Sequence, residues 1–156
     1  MSLHLELVTP ERILFSIEAE RVTLPTAEGE ITVLANHAPL VAKLVAGMMI
    51  LVTKQGTEEV AVSGGFIEIL KDNRVRVLAD TAERGEELDL TAITAAKERA
   101  EQVMKETVRS DDTAYALAAA SLERELAREK VARRAHAARR VPTVDAASLP
   151  HDENPV

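Results

Sequence analysis

The chain has 156 residues, enough for one domain with an appendage, and 46% hydrophobic against 29% charged residues is the balance of a globular protein. It contains no cysteine, which excludes a disulfide framework, a thiol nucleophile and any Cys-ligated metal site. A net charge of −7 and an aromatic content of 2% argue against nucleic acid as a main partner, because phosphate needs positive charge and bases need stacking rings.

The chain opens with Leu3, Leu5 and Leu7 alternating with His4 and Glu6, a half-buried strand stopped by Pro10. Met1–Arg12 lacks a basic stretch followed by an apolar one, so no secretory signal is expected. Further short strands are predicted at 21–24, 30–34, 41–44, 48–53, 59–63, 66–70 and 74–79. Turn signals separate them: Glu28-Gly29, Asn36-His37-Ala38-Pro39, Lys54-Gln55-Gly56, Gly64-Gly65 and Asp72-Asn73. Many short strands with closely spaced turns predict an antiparallel sandwich or barrel. Gly64-Gly65 reads as a tight strand-to-strand turn or a bulge.

All six glycines lie at or before Gly85, and from Glu86 to Val141 there is neither Gly nor Pro. Both residue types disfavour helix interiors, so the change marks a switch from strands to helices. Asp89 can cap a helix whose apolar face is Leu90, Ile93, Ala96, Ala100, Val103 and Met104. Ser110-Asp111-Asp112 breaks the pattern and caps a second helix from about Thr113 to Arg134 or Arg140. Its stripe is Tyr115, Ala118, Ala119, Leu122 and Leu126. The short connection predicts antiparallel neighbours. An alanine-rich seam buries little area, so the hairpin is expected to be loosely held and able to dock, undock or extend. The expected fold is therefore α+β: a sandwich over 1–87, a helical hairpin over 88–140 and a disordered, proline-containing tail over 141–156. No apolar run approaches the roughly 20 residues that span a bilayer.

Catalytic constellations are missing. There is no phosphate-cradling glycine loop, and Ser63 before Gly64 lacks the spacing of a nucleophile elbow. The four histidines, His4, His37, His136 and His151, show no metal-helix pairing. No catalytic residue and no metal ligand is expected. His37 is either an ordinary turn histidine or a partner contact, and Glu28 and Glu30 either a solvated loop or a contact. Basic residues collect late, at Arg124, Arg128, Lys130, Arg133, Arg134, Arg139 and Arg140, interleaved with Glu123, Glu125 and Glu129. They form a solvated face or an electrostatic contact to an acidic surface or a phosphate. Arg124 and Arg128 lie one turn apart and could grip an anion together, with Arg99 joining from the first helix.

Four stretches carry a resemblance: Glu28-Gly29-Glu30; Asn36-His37-Ala38-Pro39-Leu40; Val62-Ser63-Gly64-Gly65-Phe66-Ile67-Glu68; and Val77-Leu78-Ala79-Asp80-Thr81-Ala82-Glu83-Arg84. Together with the order of sandwich and helix pair, they resemble the epsilon subunit of the bacterial F-type ATP synthase, called delta in mitochondria, over roughly residues 2–135. The resemblance implies a non-catalytic subunit of the rotating central stalk, bound through its sandwich to gamma and the ring of c subunits. It couples proton-driven rotation to ATP synthesis in the alpha/beta head. It also implies a hairpin that lies folded on the sandwich or extends into the head and inhibits ATP hydrolysis, where Arg133 and Arg134 would meet acidic surface. The location implied is the cytoplasmic face of the bacterial inner membrane, with membrane contact only through the complex. The family's c-ring contact maps onto Glu28, Glu30 and His37.

Some members of that family bind ATP on the folded hairpin through a motif Ile/Leu-Asp-x-x-Arg-Ala. Here the segment is Leu88-Asp89-Leu90-Thr91-Ala92-Ile93, with Ala92 at the arginine position, while Arg99, Arg124 and Arg128 match downstream nucleotide-holding positions. Losing one charge-assisted contact removes about 1.5–3 kcal/mol. That is roughly tenfold to a hundredfold in affinity. Weak or absent ATP binding is the expectation, with Asp89 serving mainly as a cap and no cofactor required.

Overall fold

The computed structural model describes residues 1–107 and 111–140, with the side chains of Arg139 and Arg140 excepted; the expected disordered tail over 141–156 lies outside the described residues. Eight strands come first: β1 (Leu3–Val8), β2 (Ile13–Ala19), β3 (Arg21–Thr26), β4 (Gly29–Leu34), β5 (Leu40–Lys43), β6 (Gly47–Thr53), β7 (Gly56–Leu70) and β8 (Arg74–Arg84). A 3-10 turn at Gly85–Glu87 leads to helices α1 (Leu90–Glu106) and α2 (Asp112–Arg140).

The strand β2 was not expected, and its burial explains why. Leu14 and Phe15 are both buried although adjacent, so the alternation that marks a strand is interrupted. The pairing of β1 with β2 slips between Leu7 and Val8, because Leu14 is an extra residue opposite that step.

The Gly64-Gly65 pair is neither a turn nor a bulge, contrary to the sequence expectation. The two strands expected at 59–63 and 66–70 are one, β7, of 15 residues. Its register with β8 runs unbroken from Ser63 opposite Thr81 to Gly65 opposite Ala79. What changes at the glycines is the other neighbour: residues before them pair with β6, residues after them with β5. The pair is thus a corner where one strand passes between the two layers of the sandwich. One layer is β5, the second half of β7, the first half of β8, β1 and β2; the other is β4, β3, β6, the first half of β7 and the end of β8. Gly65 has φ +114°, and a Cβ there would lie 1.9 Å from the carbonyl oxygen of Leu78. Only glycine fits so close a backbone approach. All strand pairs are antiparallel except β1 with β8, which is parallel.

Between the layers lies an aliphatic core that includes Leu3, Leu5, Leu7, Leu24, Leu44, Met49, Leu51, Ile67 and Val77. Each such side chain contributes roughly 1.5–3 kcal/mol when removed from water. In β7, Val60, Ala61 and Val62 are all buried, as are Met48 and Met49 in β6. Strands covered on both faces read as continuous apolar runs, and what covers the outer face is the hairpin. Met48 and Ala61 pack with Leu88, Ile93, Val131 and Ala132 in a second, smaller cluster.

The helices form the expected pair. Asp89 Oδ1 accepts from the backbone N–H of Thr91 at 2.8 Å and of Ala92 at 3.3 Å, capping α1. Asp111 Oδ1 accepts from Ala114 N–H at 3.1 Å at the start of α2. Lys97 donates to Glu129 at 3.1 Å, while Met104 lies near Leu122, so contacts run in opposite senses and the helices are antiparallel.

The expected stripe of α2 needs correction. Tyr115 and Leu126 are exposed, and the buried positions are Ala118, Glu125, Ala127, Val131 and Ala132. The helix meets α1 on one side and the sandwich on another, so its buried surface is wider than one stripe and is rotated away from Leu126. Likewise Val103, expected inside on α1, is exposed.

Candidate interaction surfaces

Three surfaces bear on interaction, and the sequence-selected residues fall on the first and third. At the first, Glu28 and Glu30 flank the turn between β3 and β4. Thr26 shapes this turn: its hydroxyl donates to the carbonyl of Gly29 and accepts from the N–H of Glu28 at 3.2 Å. Both glutamates are exposed. His37 lies beyond the other end of β4, its Nδ1 donating to the carbonyl of Ala38 at 2.7 Å. Four residue steps, about 14 Å of strand, separate Glu30 from Leu34. The three residues therefore sit at opposite ends of the edge strand β4, Glu28 and Glu30 at one and His37 past the other, without forming one cluster.

The second place is the uncovered outer face of the sandwich, which sequence reading missed. Phe66 on β7 is paired with Leu78 on β8, Leu78 with Val8 on β1, and Val8 with Ile13 on β2. These four side chains form a row across four strands, with Phe66 57%, Leu78 46% and Ile13 63% exposed. The next row is charged: Glu6 and Glu68 flank Arg76, which donates to Glu6 at 2.9 Å and lies 3.7 Å from Glu68. The signal was present in the alternation of β7 and β8, but only the register shows that the apolar positions align.

The third place is the junction of hairpin and sandwich. Arg128 donates through Nε and Nη2 to Glu83 Oε2 at 3.2 and 2.9 Å, and through Nη1 to both oxygens of Glu125 at 3.1 and 2.9 Å. Arg124 donates to Glu125 at 3.3 Å. Glu125 is 1% exposed, the most buried charged group described. Burial disfavours the charge on Arg128, yet the hydrogen bond and charge of Glu83, with those of Glu125, raise its pKa. Two arginines and two glutamates balance, so the group offers no spare positive charge to an anion. Arg99 is exposed. Asp89 is engaged as a cap. Arg124 and Arg128 meet at Glu125, while Asp89 caps α1 and Arg99 stands on it.

Further ties cross the same junction. Arg134 lies 2.8 Å from Glu59 on β7. Gly85 packs under α2, where a Cβ would lie 2.8 Å from that of Ala135. Arg12 donates to Glu87 at 2.7 and 3.2 Å, which pins the linker to the loop after β1 and lowers the pKa of Glu87. A cleft of about 570 Å³ lies beside these groups, its charged lining supplied by Glu58, Glu59, Glu86, Arg84 and Arg134. Its mixed charge selects no single ligand class. Among the described residues no group of three or more His, Asp or Glu is placed to hold a metal ion. Glu125, Glu83 and Glu59 were not singled out from sequence. Glu125 follows Ala118 and precedes Ala132 by seven residues, a spacing that places all three on one helix face.

Comparison with known proteins agrees with this architecture. A family model described as ATP synthase, Delta/Epsilon chain, beta-sandwich domain matches residues 2–85. The ATP synthase epsilon chain of Syntrophomonas wolfei subsp. wolfei is 47% identical over 125 residues, 80% of this chain and 89% of that one. The ATP synthase epsilon chain of Moorella thermoacetica is 46% identical over 132 residues, 84% of this chain and 96% of that one. A chain in the structure of the Euglena gracilis mitochondrial ATP synthase, OSCP/F1/c-ring, shares the fold with a TM-score of 0.69 at 22% identity, over 88% of this chain and 81% of that one. A second, from the central stalk and c-ring of the Tetrahymena thermophila mitochondrial ATP synthase, aligns with a TM-score of 0.54 at 17% identity, over 86% of this chain and 96% of that one. With its sandwich matched throughout and these two epsilon chains covered over 89% and 96% of their length, this chain belongs to the ATP synthase epsilon chain family.

Proposed function

We propose that the chain is a rotor subunit of a proton-translocating F-type ATP synthase, linking gamma to the c ring and regulating ATP hydrolysis through its hairpin. The observation that carries this reading is the asymmetry of the sandwich. One outer face is covered by the chain's own helices; the other leaves the row of Phe66, Leu78, Val8 and Ile13 open to solvent. An aligned apolar row beside a charged one is a surface suited to a protein partner, and gamma is the partner assigned to it. The exposed edge of β4, with Glu28 and Glu30 at one end and His37 at the other, is assigned to the c ring.

The reading gives the chain a mechanical and regulatory role with no catalytic group and no bound metal. It places the chain peripherally at the cytoplasmic face of the bacterial inner membrane, reached only through the complex. Among the described residues no helix is long and apolar enough to cross a membrane. The docked hairpin is the non-inhibiting position; extended, it would bring Arg133 and Arg134 against acidic surface on the alpha/beta head. The test is co-purification of the full chain with gamma and c subunits. Wild type should retain both, Phe66→Asp should lose gamma, and a folded wild-type chain that retains neither would refute the assignment.

A second reading, a nucleotide- or anion-sensing module that switches the hairpin, draws on the exposure of Arg99 and the partial exposure of Arg124. Against it stand Ala92 and the two carboxylates already on Arg128. Calorimetry is expected to show ATP binding no tighter than about 10 µM. Tighter binding would favour the sensor.

A further inference from the structure

We propose that Glu125 is a standby partner for Arg128: a carboxylate carried on the hairpin that keeps the arginine paired when the hairpin leaves Glu83. The ion pair across the junction is thereby built to open. The argument rests on how one guanidinium is divided. Its Nε and Nη2 serve Glu83 on the sandwich; its Nη1 serves Glu125 on the same helix, three residues earlier. Lifting the hairpin separates Arg128 from Glu83 but cannot separate it from Glu125.

Consider what position 125 would be if firm docking were the only demand. It lies in line with Ala118 and Ala132, both buried, and an apolar side chain there would avoid the cost of burying a carboxylate. A glutamate raises the free energy of the docked state and lowers that of the undocked one, because both charges of the Glu125–Arg128 pair regain water together. On release only Glu83, whose side chain is already 29% exposed, loses its partner. The neighbouring bridge from Arg134 to Glu59 has no such provision. The residues three and four before Arg134 are Val131 and Lys130, so no carboxylate waits on the helix. The junction thus holds two kinds of ion pair, one simple and one with a resident substitute.

The proposal predicts opposite signs for two carboxylates that bond the same arginine. It concerns the chain by itself, so its failure would leave the assembly reading untouched. In the full chain, which has no native cysteine, Lys54→Cys and Ala116→Cys carry a donor and an acceptor, and single-molecule energy transfer counts docked and undocked molecules. Glu83→Gln should raise the undocked-to-docked ratio about tenfold. Glu125→Gln should lower it, since the buried charge is gone and Arg128 keeps Glu83. A rise with Glu125→Gln comparable to that with Glu83→Gln, or no response to either, would overturn the proposal. Should Glu125→Gln fail to fold by circular dichroism, Arg128→Gln decides. It strands a buried carboxylate with only Arg124, so it should undock the hairpin further than Glu83→Gln does. Equal ratios from those two variants would mean a plain bridge with no standby.

Discussion

The sandwich and the hairpin are held by different means. The sandwich encloses large aliphatic side chains between two layers, with Leu5, Leu24, Leu44, Met49, Leu51 and Ile67 fully buried. The hairpin and its linker press alanines, one leucine, one isoleucine, one valine and a glutamate against their neighbours, then add ion pairs at Glu83 and Glu59 from α2 and at Glu87 from the linker. Aliphatic packing is dense and unforgiving, so the first region moves as one body. Small residues and partly solvated charges hold the second region less firmly. One chain thus combines a densely packed body with a lightly packed appendage.

Several measurements would break or sharpen that contrast. The largest effect belongs to the sandwich core: Leu51→Ala should cost about 3–5 kcal/mol and shift the whole denaturant transition. Gly65→Ala should cost about 3 kcal/mol, because the new Cβ collides with the backbone of Leu78 at a φ unfavourable for alanine. Val131→Ala should cost about 2 kcal/mol and show it locally. In hydrogen exchange, amides of α1 and α2 should speed up while those of β1 and β8 keep their protection; a uniform change would mean the two regions unfold together. Asp89→Ala should remove a cap worth about 1 kcal/mol, seen in the first turn of α1 alone.

Acid gives the smallest effect. Hydrogen bonds from Arg133 and Lys97 lower the pKa of Glu129 from its ordinary 4.5, and one from Arg12 does the same for Glu87. A depressed carboxylate stabilises above its unfolded pKa and loses that contribution as pH falls through the folded one. The ties of Glu129 within the hairpin and of Glu87 at the linker should therefore hold steady down to about pH 4.5 and weaken below it, with hydrogen exchange of α1 and α2 amides as the measurement.

Much of this was legible in the residues. The withdrawal of Gly and Pro after Gly85 located the change from strands to helices, and Asp89 announced the start of α1. Where reading failed, two surfaces competed for one segment. In β2 an extra residue broke the alternation. At Gly64-Gly65 a change of strand partner had the same composition as a turn. In α2, contact with both α1 and the sandwich turned Leu126 outward and Glu125 inward, and the seven-residue spacing from Ala118 to Glu125 to Ala132 was hidden by the expectation that a charged residue faces water. The resemblance named the candidate residues for nucleotide and ring contacts, but the grouping of Glu125, Arg128 and Glu83 depends on strands and helices far apart in sequence meeting in space.

The unbroken run of β7 and β8 through both layers has a mechanical corollary. In a sandwich whose layers touch only through side chains, a twist on one could be absorbed by sliding over the other. Here two covalent backbones turn the corner together, so a load entering at the Phe66 side is carried along bonded peptide units to the strands beneath the hairpin. The glycines at the bend admit that path without a gap. The side with the open apolar row and the side beneath the helices are, in engineering terms, a single unjointed spar.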